Sequence, residues 1–350
     1  MLVLVVPGRL DTKTGGYVYD RRIVEGLRRL GWLVEVCSLD ESFPWPSEAA
    51  LVGAASALSS IPSGATVLVD GLAGGVMPSL LEREAARLRL VALVHHPLAD
   101  ETGISREDAS AFEVSERRAL GFVRRVIVTS PPTAARVSQL FGVAVDRVAV
   151  VEPGVDRGPL SSGSGSNTLE LLCVASISPR KGYGTLIRAL AMIADRPWRL
   201  TIFGSLSRDS RSVAQLRQAI RDAGLEQRVA LAGEADAATI STYYQRSDLF
   251  VMATEYEGYG MVVADALAHG LPVISTPAGA IPDLVGRDAG TLVPVGDVRA
   301  LADAIARAID DSDFRRRLRD GAVRVRDRLP SWETASKRMA DVLTRVAVDE

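Results

Sequence analysis

At 350 residues, 47% hydrophobic and 24% charged, the chain is long enough for two domains and too apolar to read as disordered. A formal net charge of −2 gives no global attraction to nucleic acid or to an acidic membrane. The two cysteines, Cys37 and Cys173, sit in apolar strand-like runs and are too few for a disulfide framework.

The N-terminus lacks a basic start, and its apolar run is too short for a secretory signal. No stretch reaches the roughly 18 apolar residues of a spanning helix. The expectation is a cytoplasmic protein, with peripheral membrane contact left open. Of the 41 basic residues only Lys13, Lys181 and Lys337 are lysines, and the first two lie close to glycines.

A short apolar run at 2–6 opens the chain and reads as a strand. The loop after it carries Thr14, Gly15 and Gly16. Ile23, Leu27 and Leu30 then share one helical face, and Gly31 ends that helix. Strands are predicted at 33–37, 66–69, 91–94, 126–128 and 148–151. Helices are predicted at 80–88, at 105–121 behind a Ser105 cap, and at 131–140 with prolines at its first positions.

Residues 159–168, rich in Ser and Gly, read as a linker. The alternation then restarts. Strands are predicted at 171–175, 199–203, 228–231, 248–252 and 272–275. Helices are predicted at 183–193, 210–223, 236–245, 259–268, 297–309 and 312–319. Largely apolar strands separated by helix-length segments indicate parallel sheets covered on both faces. The fold class is α/β, with two doubly wound Rossmann-like domains facing across a cleft. Their expected bounds are 1–160, joined by a C-terminal helix at 331–350, and 169–330.

Ligands of such sheets bind beyond the C-terminal strand ends. Two segments there carry chemistry. After strand 248–252, Glu257-Gly258-Tyr259-Gly260-Met261 leads into a helix. Its glycines admit close backbone approach, and the helix N–H groups suit phosphate or hydroxyl oxygens. Asp265 follows one turn later, an acceptor suited to a diol such as ribose. A charged helix start facing solvent is the plain alternative. After strand 171–175, Pro179-Arg180-Lys181-Gly182 offers two cations at a helix entry, fit for a diphosphate or simply an exposed basic turn.

The run Glu257-Gly-Tyr-Gly-Met-Val-Val-Ala-Asp265-Ala-Leu-Ala-His-Gly-Leu-Pro-Val-Ile274 resembles the signature of retaining glycosyltransferase family 4, which has the GT-B fold. The family carries two glutamates separated by seven residues. The resemblance places Glu257 near the transferred sugar and gives the ribose contact to Asp265, shorter by one methylene than the usual glutamate. It assigns Lys181 to the departing diphosphate. Ser176 stands where the family has an arginine, and Arg180 is the candidate replacement.

The resemblance further implies that Gly15 and Gly16 approach the donor phosphate and that His95 lies near the donor sugar and acceptor. Nucleotide contacts are implied at the turns Gly204-Ser205 and Gly233-Glu234, and a ribose or phosphate contact at Gly279. His96 is expected to face away from His95, His269 to be structural, and Trp332 to pack where the last helix meets the first domain. The implied reaction is metal-independent transfer from a nucleotide-diphosphate sugar to an unidentified hydroxyl on a small molecule, glycan or lipid-linked acceptor. No cofactor, metal set or nucleic-acid partner is expected. A catalytically weak nucleotide-sugar-binding protein, an epimerase and a phosphorylase are the alternatives.

Overall fold

The computed structural model describes residues 1–348, so residues 349 and 350 of the expected terminal helix lie outside the described residues. The chain divides into two units, Met1–Gly154 together with the chain from Pro330 onward, and Val155–Leu329. Each is built on a six-stranded parallel sheet.

In the first unit the strands are β1 (Leu2–Pro7), β2 (Val34–Leu39), β3 (Thr66–Asp70), β4 (Arg89–Val94), β5 (Arg125–Val128) and β6 (Val148–Val150). Their order across the sheet is β2-β1-β3-β4-β5-β6. Every residue of β1 and β3 is buried, which is why these strands read as continuous apolar runs rather than alternating ones.

The connecting helices are α1 (Gly15–Arg29), α2 (Glu48–Ser60), α3 (Gly71–Gly74), α4 (Pro78–Glu84), α5 (Arg106–Gly121) and α6 (Pro131–Phe141). Ser105 and Ser130 cap α5 and α6 through their hydroxyls, as serine at an N-cap does. Helix α2 falls in a stretch where the sequence predicts no element. Its Ala-rich segment has almost no amphipathic contrast, although the Ser47 hydroxyl accepts from Ala50 N at 3.1 Å to start it. Gly15 and Gly16 are the first residues of α1 rather than part of the loop before it.

In the second unit the strands are β7 (Leu169–Val174), β8 (Trp198–Phe203), β9 (Val229–Gly233), β10 (Leu249–Val251), β11 (Val273–Ser275) and β12 (Gly290–Leu292), ordered β12-β11-β10-β7-β8-β9. The helices are α7 (Tyr183–Ala191), α8 (Ser210–Asp222), α9 (Ala237–Arg246), α10 (Met261–Ala268), α11 (Ile281–Val285), α12 (Val298–Asp310) and α13 (Ser312–Arg326). Helix α13 runs past the expected 319. Its Gly321 lies so close to the Asp288 carbonyl that a side chain would overlap it.

The Ser/Gly-rich stretch is packed against the second unit. Ser161 is buried, its hydroxyl donating to Ser247 O at 2.8 Å and its N–H to His269 O at 2.6 Å. Ser164 N donates to Asp248 Oδ1 at 3.1 Å. Small polar residues that look like linker from composition here satisfy backbone groups at the lower edge of β10.

The last helix, α14 (Trp332–Val348), returns to the first unit and packs on α1. Trp332 is buried, with the Tyr19 ring edge-on at 6.1 Å and the Arg22 guanidinium 5.1 Å from its centroid. Gly154 is a glycine because a side chain there would overlap the Trp332 backbone. Among the described residues no helix is long and apolar enough to cross a membrane.

Candidate active site

In an open parallel sheet, the crevice for a ligand opens where neighbouring strands send their chains to opposite sides. In the second unit β7 is flanked by β10 and β8, so this switch point lies between β7 and β10. The segments leaving these two strands are 175–182 and 252–260, the two that the sequence marks. Each therefore delivers its charged residues to the same place.

Lys181 Nζ donates to Glu257 Oε1, with both side chains 9% exposed. The Thr254 hydroxyl donates to the same Oε1 at 2.9 Å. The Arg180 guanidinium lies 3.7 Å from Glu257 Oε2 and donates to Tyr256 O at 2.7 Å. Arg180 is thus brought to the carboxylate that Lys181 also holds.

Burial is the largest influence on Glu257 and raises its pKa. Lys181, Arg180 and the hydrogen bonds outweigh it, leaving the group below the ordinary carboxylate value. Burial also dominates at Lys181 and lowers its pKa, with Glu257 opposing and Arg180 adding to the effect. The result is a largely buried cluster of one anion and two cations.

Glycines allow this crowding. Gly182 has φ +63°, and a Cβ on it would overlap the Ala253 carbonyl. Gly279 has φ +54°, and its Cβ would overlap the Glu257 carbonyl. Gly279 therefore presses the segment after β11 directly onto the residue carrying the anion. Glu255 N donates to Arg180 O at 2.8 Å, and the Thr276 hydroxyl to Thr254 O, stitching the turns together.

Gly260, at φ +92°, is the N-cap of α10 and offers no side-chain cap. Gly258 and the buried Tyr259 precede it, Met261 is the first helical residue, and Asp265 follows on the next turn, partly buried. Asp265 O accepts from His269 Nδ1 at 2.8 Å, and the Ser241 hydroxyl lies 3.0 Å from His269 Nε2. With its ring stacked on Tyr244 at 4.9 Å, His269 fills a packing role. Burial holds its pKa below the ordinary imidazole value. Gly204 and Ser205 leave β8. Gly204 packs against the Ala175 carbonyl, and the Ser205 hydroxyl accepts from Arg208 N at 3.3 Å.

The first unit has its own switch point, between β1 and β3. His95 follows β4, and its Nε2 is 3.1 Å from Asp20 Oδ1 and 3.6 Å from Asp70 Oδ2. Gly16 lies against this ring, where an added Cβ would come within 3.2 Å of it. Gly15 is exposed at the start of α1. His96 turns the other way, its Nε2 3.1 Å from Glu101 Oε2.

Two family models match the chain side by side. "Glycosyltransferase Family 4" covers residues 15–158, and "Glycosyl transferases group 1" covers residues 160–324. Together the two matches make the chain similar to family-4 glycosyltransferases along both of its halves. The D-inositol 3-phosphate glycosyltransferase of Xylanimonas cellulosilytica is 26% identical over 246 residues, 65% of this chain and 58% of that protein. The chain thus aligns with little more than half the length of that relative.

Among solved structures, sucrose-phosphate synthase from Thermosynechococcus elongatus matches with a TM-score of 0.85 at 20% identity, over 100% of this chain and 99% of the other. HepE from Anabaena, solved with UDP and glucose, matches with a TM-score of 0.77 at 20% identity, over 98% of this chain and 99% of the other. These likenesses show the GT-B glycosyltransferase fold, two Rossmann-like domains.

Sequence reasoning did not pair three residues with the marked ones, Asp20, Asp70 and Thr254, nor Thr276 with Thr254. Asp70 carried a signal, since it ends a buried strand before a glycine. Thr254 and Thr276 also follow strands. Asp20 carried none, because nothing local distinguishes it from other acidic residues on a helix. The sequence shows no metal cluster, yet Asp20, Asp70 and His95 place ligand-type atoms within 4.8 Å of one another.

Proposed function

We propose that this protein transfers a sugar, with retention of anomeric configuration, from a nucleotide-diphosphate sugar to an acceptor hydroxyl. The observation that carries the reading is the buried Lys181–Glu257–Arg180 group on the two turns that bracket the switch point of the second unit. Its two cations suit a diphosphate, and their partial burial strengthens that attraction.

In the reaction, the bond between the anomeric carbon and the diphosphate oxygen breaks, and its electron pair leaves with the phosphate. Lys181 and Arg180 offset that charge. The acceptor oxygen bonds to the anomeric carbon from the same face and gives its proton to a phosphate oxygen. Glu257 accepts from hydroxyls of the transferred sugar, and Asp265 from the ribose. Gly258, Tyr259, Gly260 and Met261 present the uncapped start of α10 to phosphate. Gly204 and Ser205 are read as nucleotide contacts, Gly279 as lying near the ribose or phosphate, and Gly15 and Gly16 as phosphate-side contacts of the first unit. His95 handles a sugar or acceptor hydroxyl. No metal is required when cations already face the leaving group.

The two family-model matches support this reading, as does the UDP and glucose bound by HepE. A thermal-shift panel of UDP, GDP, ADP and their sugars identifies the donor. Release of the nucleotide diphosphate in the presence of candidate acceptors then measures transfer. Lys181→Ala and Glu257→Ala are each expected to lower the rate at least about tenfold, roughly 1.4 kcal/mol of barrier. Folded variants that keep the full rate would refute the assignment.

A further inference from the structure

Beside the first unit's switch point, His95 reaches two buried carboxylates. Asp20 from α1 and Asp70 from the end of β3 have side chains only 1% and 3% exposed, and both face the same ring nitrogen. Tyr19 also lies against the ring, edge-on at 5.4 Å with its hydroxyl donating to Val151 O at 2.9 Å, as does Gly16. Two buried like charges this close call for a cation between them.

Protonating a carboxylate instead fits the geometry poorly. Asp70 Oδ1 accepts from Leu72 N at 2.7 Å at the start of α3, a bond that favours the anion. Burial, with Asp70 adding to it, raises the Asp20 pKa to about 6 against the opposing His95 ring, so the carboxylate is ionised above that value.

We propose that Asp20, aided by Asp70, is a positioning residue that holds His95 as an imidazolium, its Nε2–H committed to the carboxylates and its Nδ1–H left to donate to a substrate oxygen. His95 then donates a hydrogen bond and never takes the acceptor proton, because it is already protonated. Burial opposes the charged ring and is the largest single influence on it. The two carboxylates outweigh burial and leave the pKa well above the ordinary imidazole value. The proposal rests on reading His95 as a residue of the transfer site.

The test uses the full chain labelled with ¹⁵N-histidine, in which only His95, His96 and His269 contribute. Long-range imidazole spectra are expected to show both His95 nitrogens protonated from about pH 7.5 to about pH 8.5, a range where a free imidazole is largely neutral. In Asp20→Asn the ring is expected to become neutral within that range. Transfer by the variant should lose about tenfold or more in kcat, with donor KM changed by less than about threefold. Its rate should also gain a pH limb near neutrality, which a merely structural change would not create.

A neutral His95 in the unaltered protein near pH 7 overturns the proposal, and that measurement needs no variant to fold. So does an Asp20→Asn spectrum identical to the parent, or a His95 spectrum that changes on adding a chelator, as a bound metal would cause. Full transfer by both Asp20→Asn and His95→Gln, with the imidazolium present, instead removes His95 from the site and takes the proposal with it.

Discussion

Glu257 is the shared anion of a group that also holds two cations, and this makes its removal unlike the removal of either cation. In Glu257→Gln, Lys181 loses its partner while Arg180 stays beside it, so a buried ammonium is left next to a like charge. Leaving an unpaired buried charge costs about 3–5 kcal/mol. In Lys181→Met the Arg180 guanidinium remains 3.7 Å from Glu257 Oε2. At that distance the gross attraction is about 4 kcal/mol for an effective dielectric of about 20, enough to offset part of the loss. The expected cost of Lys181→Met is therefore smaller, about 1–3 kcal/mol.

The double variant should cost less than the sum of the singles, by about 1–3 kcal/mol, because the pair is in direct contact. For a unit of this size each kcal/mol moves the melting temperature by about 2–4 °C, so Glu257→Gln should lower it by roughly 6–20 °C. Calorimetry on the full chain, with urea midpoints as a second probe, reads all three variants. The reasoning fails if Lys181→Met proves the more damaging single change, or if both cost less than about 1 kcal/mol.

The same carboxylate sets a pH window. Because the folded-state pKa of Glu257 is depressed, its contribution is complete above the ordinary value of 4.5 and is lost as pH falls through the lower folded value. The urea midpoint of the parent should fall on acidification below that point, and Glu257→Gln should flatten the fall. Gly279→Ala, at φ +54° with the Glu257 carbonyl in its way, should cost at least about 3 kcal/mol or prevent folding. Gly224→Ala, at φ +63° in open space, should cost only about 1–2 kcal/mol, and equal denaturation midpoints for the two would contradict the packing account. Asp265→Asn should weaken nucleotide binding by about 1.5–3 kcal/mol, roughly ten- to hundredfold in Kd by calorimetric titration, with a smaller effect on kcat. Unchanged nucleotide affinity would remove Asp265 from the ribose contact.

Much of this protein is written in short stretches of its sequence. The apolar runs that became β1, β3, β7 and β10 are legible because a strand covered on both faces needs no alternation. The candidate site residues of the second unit are legible because parallel strands deliver their following turns to one end of a sheet. Lys181, Glu257 and the glycines around them could thus be marked from position alone.

What the chain could not reveal locally is which of these groups meet, and what else meets them. Strand order decides that β7 and β10 are neighbours, so that residues 76 apart form one ion pair. Packing decides that Gly279 serves the Glu257 carbonyl. Only the tertiary structure gives Asp20 a role, by burying it 75 residues away from the His95 it holds. Periodicity and turn chemistry act over a few residues, whereas burial and charge pairing depend on distances that exist only once the sheet is assembled.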